Sequence, residues 1–201
     1  MNSEAVSHAR ARLNKAESAL LAFRNAEKLG QAEEAWSDFL IAASTIYSKL
    51  ERGAKGFPKS EPWFGRRKKE RKDDPLLRYL HFARNSDEHG IERVAATTNN
   101  NRDMLGRQMK FNERVPLKAQ LCNSVHNEPE GPYFDVILAG PTLKPVRAND
   151  RRFGDYCDPP ETHFGKEIQF HGFVDYLAEA ALPYLRAMVD EAEKLSNTIA
   201  K

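Results

Sequence analysis

From Val6 to Phe23 the apolar residues stand at Val6, Ala9, Leu13, Ala16, Leu20 and Phe23, in steps that alternate between three and four. That spacing lays one apolar stripe along one face of a helix. A stripe of this kind has to be buried against another element, because a lone helix of this length is marginal in water. The same pattern returns in Ala32, Ala35, Trp36, Phe39, Leu40, Ala43, Ile46, Tyr47 and Leu50. It returns again from Phe173 to about Ile199, through Val174, Leu177, Ala178, Ala181, Leu182, Leu185, Met188, Val189, Ala192 and Leu195. Ser3 is placed to cap the first helix and Gly30 to end it, and the second is expected to stop at Gly53. The short link makes these two helices antiparallel neighbours. Pro183 lies within the last helix and predicts a kink or broken turn there.

Between the second and last of these segments the chain changes character twice. From Gly53 to Asp74 the periodicity vanishes, and Gly53, Gly56, Pro58, Pro62 and Gly65 predict irregular structure. A basic run, Arg66-Arg67-Lys68-Lys69-Glu70-Arg71-Lys72, closes this stretch. Asp74 then reads as an N-cap with Pro75 at the first helical position, where a missing N–H costs nothing. Leu76, Leu77, Leu80 and Ala83 form the apolar face of this third helix, which should end near His89 with Gly90 as its C-terminal cap. Thr97-Thr98-Asn99-Asn100-Asn101 reads as a polar loop. Residues 106–168 carry Val115, Val125, Val136, Ile137 and Val146 in short runs broken by seven prolines, from Pro116 to Pro160. This pattern predicts a few short strands, of which Tyr133 to Leu138 is the clearest. The fold class expected is mainly α: residues 1–201 as a single helical domain resembling a four-helix bundle, with a β-rich insertion over 106–168 before the last helix.

Composition narrows the function classes only slightly. Hydrophobic residues at 40% and charged residues at 30% suit a globular chain rather than a disordered one. The 31 basic and 29 acidic residues leave a formal charge of +2, so only the distribution of charge can point to a nucleic acid. Two cysteines, Cys122 and Cys157, make no disulfide framework and suit reduced thiols. No apolar stretch reaches the roughly 20 residues needed to span a bilayer, and Met1-Asn2-Ser3-Glu4 lacks a signal-peptide layout. A cytoplasmic protein without a membrane partner is the expectation.

The segment with chemical potential is Arg84-Asn85-Ser86-Asp87-Glu88-His89, at the end of the third helix. Its arginine, following polar residue and histidine after four intervening residues resemble the signature of the HEPN family, a group of helical bundles. The two long helices ahead of the motif match the family's helix order, over about residues 1–90 and the final helix. The resemblance implies RNA cleavage without a metal or other cofactor, at a composite site across a two-fold homodimer. It implies Arg84, Asn85 and His89 as catalytic residues, and by analogy a toxin or phage-defence role with a neutralising protein partner. The residue types suit that chemistry. Histidine moves protons near neutral pH, and the arginine fork stabilises charge growing on phosphate oxygens. Asn85 can hydrogen-bond the phosphate or hold the imidazole in one tautomer.

A helical wheel puts Arg84 and Asp87 on or beside the apolar face, and Asn85 and His89 together on the other side. Arg84 and His89 stand about 140° apart on a regular helix, so they converge only with a second subunit or a loosened last turn. An ordinary helix end explains the same residues without catalysis: Arg84 and Glu88 are an i,i+4 pair, and His89 meets the negative end of the helix dipole.

Weaker features surround this segment. Arg66, Arg67, Lys68, Lys69, Arg71 and Lys72, preceded by Trp63 and Phe64, could bind RNA through phosphates and stacking, or form a solvated linker. Arg78 joins His81 and Asn85 on one side of the third helix and extends that basic set. Asp150, Asp155, Cys157, Asp158, Glu161 and His163 crowd together without a metal-ligand spacing and read as polar loop residues. His126 stands alone, and His171 reads as a cap or surface residue. Two functions from different classes follow: a HEPN-type endoribonuclease, or a non-catalytic HEPN-like module that binds a protein or nucleic acid through the β-rich insertion.

Overall fold

The computed structural model describes residues 1–89, 95–97, 120–121, 126–128, 131–133, 136–137, 143–150, 154–168 and 173–197. Among these the chain is mainly helical, with α1 over Ser3–Arg24, α2 over Leu29–Ala54, α3 over Ser60–Asp73, α4 over Pro75–His89 and α5 over Val174–Asn197. Gly90, Thr98 to Asn101, Val115, Cys122, Val125, His171 and the side chains of Asp87, Glu88, His89 and His126 lie outside the described residues.

The three long stripes are buried as their spacing requires. Val6, Ala9, Leu13 and Ala16 of α1, Phe39, Leu40, Ile46 and Leu50 of α2, and Leu177, Leu185, Met188 and Val189 of α5 share one core. The starts and stops differ in detail from expectation. Asn2, not Ser3, caps α1, its side-chain oxygen accepting from the Ala5 N–H at 2.9 Å. The first helix already ends at Arg24, and Gly30 lies in the first turn of α2, where an N–H without an intrahelical partner is normal. Gln31 closes that turn by accepting from the backbone N–H groups of Glu27 and Lys28, both at 3.1 Å. α5 runs through Pro183 as one helix, with the proline on its exposed side.

α1 and α2 are antiparallel, and the Asn2 N–H donates to the Gly53 carbonyl at 2.9 Å. The crossing is tight there, since a Cβ on Gly53 would lie 2.6 Å from that of Ala5. α5 returns antiparallel to α1 along a ladder of ion pairs. Arg10 meets Glu193 and Asp190, Glu17 meets Arg186 at 2.6 Å, and Arg24 meets Glu179 at 2.8 Å. The rungs stand seven residues apart on both helices and alternate in sign, so a slip of seven residues, two helical turns, would oppose like charges.

One expectation is overturned. The basic stretch before Asp74 is not irregular but forms α3, a fifth helix. Lysine, arginine and glutamate are good helix formers, and Pro62 falls in the first turn, where it is tolerated. Only Trp63 and Phe64 bury large apolar side chains, too few to make a periodic stripe.

The insertion before α5 contains short strands. They are β1 (Ala95–Thr97), β2 (Gln120–Leu121), β3 (His126–Glu128), β4 (Gly131–Tyr133), β5 (Val136–Ile137), β6 (Leu143–Pro145), β7 (Ala148–Asp150), β8 (Asp155–Cys157), β9 (Thr162–His163) and β10 (Lys166–Glu167). Strand structure begins at Ala95, ahead of the expected boundary, and Thr97 belongs to β1 rather than to a loop. β1 pairs with β6, β2 with β5 and β3 with β4, nested one inside the next, and β7–β8 and β9–β10 are adjacent hairpins. The strand expected over Tyr133 to Leu138 coincides with β4 at Tyr133 and with β5, and its remaining residues are outside the described set.

The contact at Gly53 generates a prediction of opposite signs at two glycines. Gly53→Val should lower stability by about 1–3 kcal/mol through overpacking against α1. Gly30→Ala, with nothing within 4 Å of the added methyl, should raise it by up to about 1 kcal/mol. Urea denaturation of both variants checks the pair.

Candidate functional site

α4 carries the motif, and its burial decides how each motif residue is used. Leu76, Tyr79, Leu80 and Ala83 are buried, so the helix sits firmly in the core. Near its C-terminal end Arg84 and Asn85 are half-buried, and Arg84 Nη1 donates to Asn85 Oδ1 at 3.2 Å. His89 is the last residue of α4. Ser86, in the middle of the motif, is only 8% exposed. Its hydroxyl donates to the Asn149 carbonyl at 2.6 Å and accepts from the Asn149 N–H at 2.9 Å, which docks strand β7 on the helix. Two turns earlier the buried Tyr79 hydroxyl donates to the Val146 carbonyl at 2.8 Å. Burial pushes the Tyr79 phenol well above its ordinary pKa, so it remains a donor.

The basic residues of α3 divide into two sets. Arg67 is half-buried and bridges Glu70 at 2.6 Å and Glu191 at 2.5 Å, with its guanidinium near the rings of Trp63 and Tyr184. Lys68 pairs with Glu51 at 2.7 Å, and the Arg71 guanidinium lies 4.5 Å from the centre of the Tyr47 ring. Those three cations join α3 to α2 and α5. Arg66, Lys69 and Lys72 are exposed. Arg78, exposed on α4, stacks over Phe82 at 5.4 Å. His81 does not share Arg78's exposure; it is half-buried and lines a small cavity with Tyr47, Arg71 and Leu77. The structure therefore brings Arg84 to Asn85, and Arg66 to Lys69. Arg84 itself lies about 14 Å along the α4 axis from Pro75, at about 1.5 Å per residue, away from the α3 junction.

At that junction stands a group that sequence reading assigned only as a cap. Asp74 is 5% exposed, and its carboxylate accepts three hydrogen bonds. The Leu77 N–H donates to Oδ1 at 2.9 Å, His163 Nδ1 approaches the same oxygen at 2.9 Å, and the Phe164 N–H donates to Oδ2 at 2.6 Å. His163 is thus drawn away from the acidic cluster around it in sequence. Arg147 takes Asp158 at 2.7 Å, and no group of three or more histidines, cysteines, aspartates or glutamates among the described residues could hold a metal. Burial raises the Cys157 thiol pKa, against the pull of Arg78, so it is a protonated thiol near neutral pH. Phe164 and Gly165 have φ of 47° and 73°, the left-handed pair of a type I′ turn between β9 and β10. A two-residue turn ending in glycine is the signal that could have announced this hairpin.

Between α3 and the hairpin tip opens a cleft of about 480 Å³, lined by Arg66, Lys69, Glu70, Asp73, Asp74, Pro75, Phe164 and Gly165. Glu70 accepts from the Tyr184 hydroxyl at 2.8 Å as well as from Arg67, and burial pushes the Tyr184 phenol far above its ordinary range.

Two stability predictions follow. Asp74→Ala should cost about 2–4 kcal/mol, combining a lost N-cap with two part-buried donors left without their acceptor; thermal denaturation checks it. Glu191 would be raised by burial, but the Trp63 and Arg67 hydrogen bonds outweigh this and hold it below the usual carboxylate range. Its contribution is therefore present above the unfolded carboxylate pKa and lost as pH falls through the lower folded value. Glu191→Gln should be less stable than wild type at neutral pH, with the gap narrowing in acid, by denaturation across pH.

No helix among the described residues is long and apolar enough to cross a membrane. No family model, curated protein or solved structure matches the chain, so its chemistry rests on the side-chain geometry of α3, α4 and the β9–β10 hairpin.

Proposed function

We propose that the protein is an endoribonuclease of the HEPN type that cleaves RNA without a metal ion, at a composite site formed by two copies of the chain. The observation that carries this reading is the Arg84–Asn85 pair, half-buried and hydrogen-bonded at 3.2 Å, five residues before His89 near the end of one helix. Asn85 restricts the Arg84 guanidinium, which leaves a directed cation where a phosphate would otherwise meet flexible charge. In the proposed reaction a ribose 2′-oxygen attacks the adjacent phosphorus and the bond to the 5′-oxygen breaks. His89 transfers the proton, and Arg84 stabilises the non-bridging oxygens as their charge grows. The products are a 2′,3′-cyclic phosphate and a 5′-hydroxyl. The separation of about 140° between Arg84 and His89 on a helix is the reason for assigning them to facing subunits. A toxin or phage-defence role with a neutralising partner is the biological setting this reading suggests.

A second reading is favoured by Ser86. Its two hydrogen bonds to Asn149 use the centre of the motif as a mount for the strand insertion. On that basis α4 is a structural helix end, and the insertion is the recognition surface of a non-catalytic module for a protein or nucleic-acid partner.

Purified protein in chelator should cleave RNA to cyclic-phosphate ends, and Arg84→Ala or His89→Ala should each reduce the rate by about 100-fold or more. Mixing the two variants should restore activity, because a heterodimer regenerates one site with both groups intact. Equal background in all three proteins supports the binding module instead.

A further inference from the structure

The cleft at the α3–α4 junction takes no part in the cleavage chemistry, yet it contains the one non-glycine residue with positive φ among the described residues. Phe164 occupies the first central position of a type I′ turn at φ 47°, where asparagine, aspartate or glycine is favoured. A bulky residue in this left-handed region is strained and persists where surrounding structure imposes it. The Phe164 N–H on Asp74 supplies that constraint. Packing uses only part of the phenylalanine, because the residue remains 49% exposed. Its ring lies beside those of His163 at 4.6 Å and Tyr184 at 5.3 Å between centroids, and the residue lines the cleft.

Opposite this platform the α3 wall contributes Arg66 and Lys69, one turn apart and both exposed. Their neighbours are committed elsewhere, Arg67 to Glu70 and Glu191 and Lys68 to Glu51, whereas neither Arg66 nor Lys69 is in an ion pair among the described residues. Of the carboxylates in the wall, Glu70 is matched by Arg67 and Tyr184, and Asp74 by its three donors. Asp73 is exposed at the rim. An aromatic face beside two uncommitted cations, across a cleft of about 480 Å³, has the elements that hold a base and its phosphate.

We propose that this cleft binds one nucleotide unit, its base stacked on Phe164 and its phosphate between Arg66 and Lys69. The inference rests on the nucleic-acid side of the functional reading above and not on cleavage at Arg84. The unit can belong to single-stranded RNA or be a free nucleotide, and the two arms of the test separate these sources.

The experiment is fluorescence anisotropy with a short, uncleavable 2′-O-methyl RNA, beside calorimetry with adenosine monophosphate. Phe164→Asn keeps the left-handed turn and removes the ring; it should weaken binding about tenfold, while Phe164→Trp binds as wild type. Lys69→Glu, on the exposed wall, should weaken binding and flatten its salt dependence. Tighter binding of the RNA than of the mononucleotide assigns the cleft to a polynucleotide; comparable affinity for the two assigns it to a free nucleotide. Wild-type affinity in Phe164→Asn and Lys69→Glu, or no binding of either probe, overturns the proposal. Phe164-dependent binding by a protein that cleaves no RNA removes the nuclease reading and leaves this one standing. Cleavage with binding indifferent to Phe164 does the reverse.

Discussion

The Asp74 carboxylate is where the helical frame and the insertion are tied together. Pro75 disfavours the helical conformation in the residue before it, and Asp74 is accordingly extended at ψ 127°. That ends α3 and turns the chain. The freed side chain then caps α4 through the Leu77 N–H. A carboxylate this deeply buried needs further donors, and the tip of the β9–β10 hairpin provides them through His163 and Phe164. One dipeptide thus sets a helix stop, a helix start and the landing point of a segment some ninety residues further on.

The frame itself is held by burial and aligned by charge. The apolar stripes of α1, α2 and α5 supply the driving force, but hydrophobic contact alone tolerates sliding by a heptad, two helical turns. The ladder from Arg10 to Arg24 against Glu193 to Glu179 opposes such a slip. Each exposed rung adds little stability, so the ladder matters for register more than for strength. Correct register also places Glu191 of α5 beside Trp63 and Arg67, which fastens α3 to the bundle.

α4 has two ends with different chemistry. Its N-terminal end borders the cleft between basic α3 and Phe164, and its C-terminal end carries Arg84 and Asn85 beside the strand docked on Ser86. The separation follows from the division of labour on α3. Half of its basic run is consumed in attaching the helix, and the cations left exposed lie around the junction rather than beside Arg84.

Residue spacing by itself determined the three long helices, their buried faces, the start of α4 at Asp74-Pro75 and the strand-forming character of the insertion, because each depends on neighbours within a few positions. The Arg84–Asn85 contact was not anticipated, because a helical wheel puts the two on different sides, whereas the seven-residue spacing of Arg10, Glu17 and Arg24 was present to be read. The helical state of α3 was not, since a helix fixed by two aromatic anchors and an ion network has no stripe. Only the tertiary structure decided that Ser86 would carry β7, that His163 would leave its acidic neighbours for Asp74, and that Phe164 would line one cleft with Arg66 and Lys69. These pairings join residues far apart in sequence, and a contact of that kind is selected by the packed fold, leaving no periodic trace in the chain.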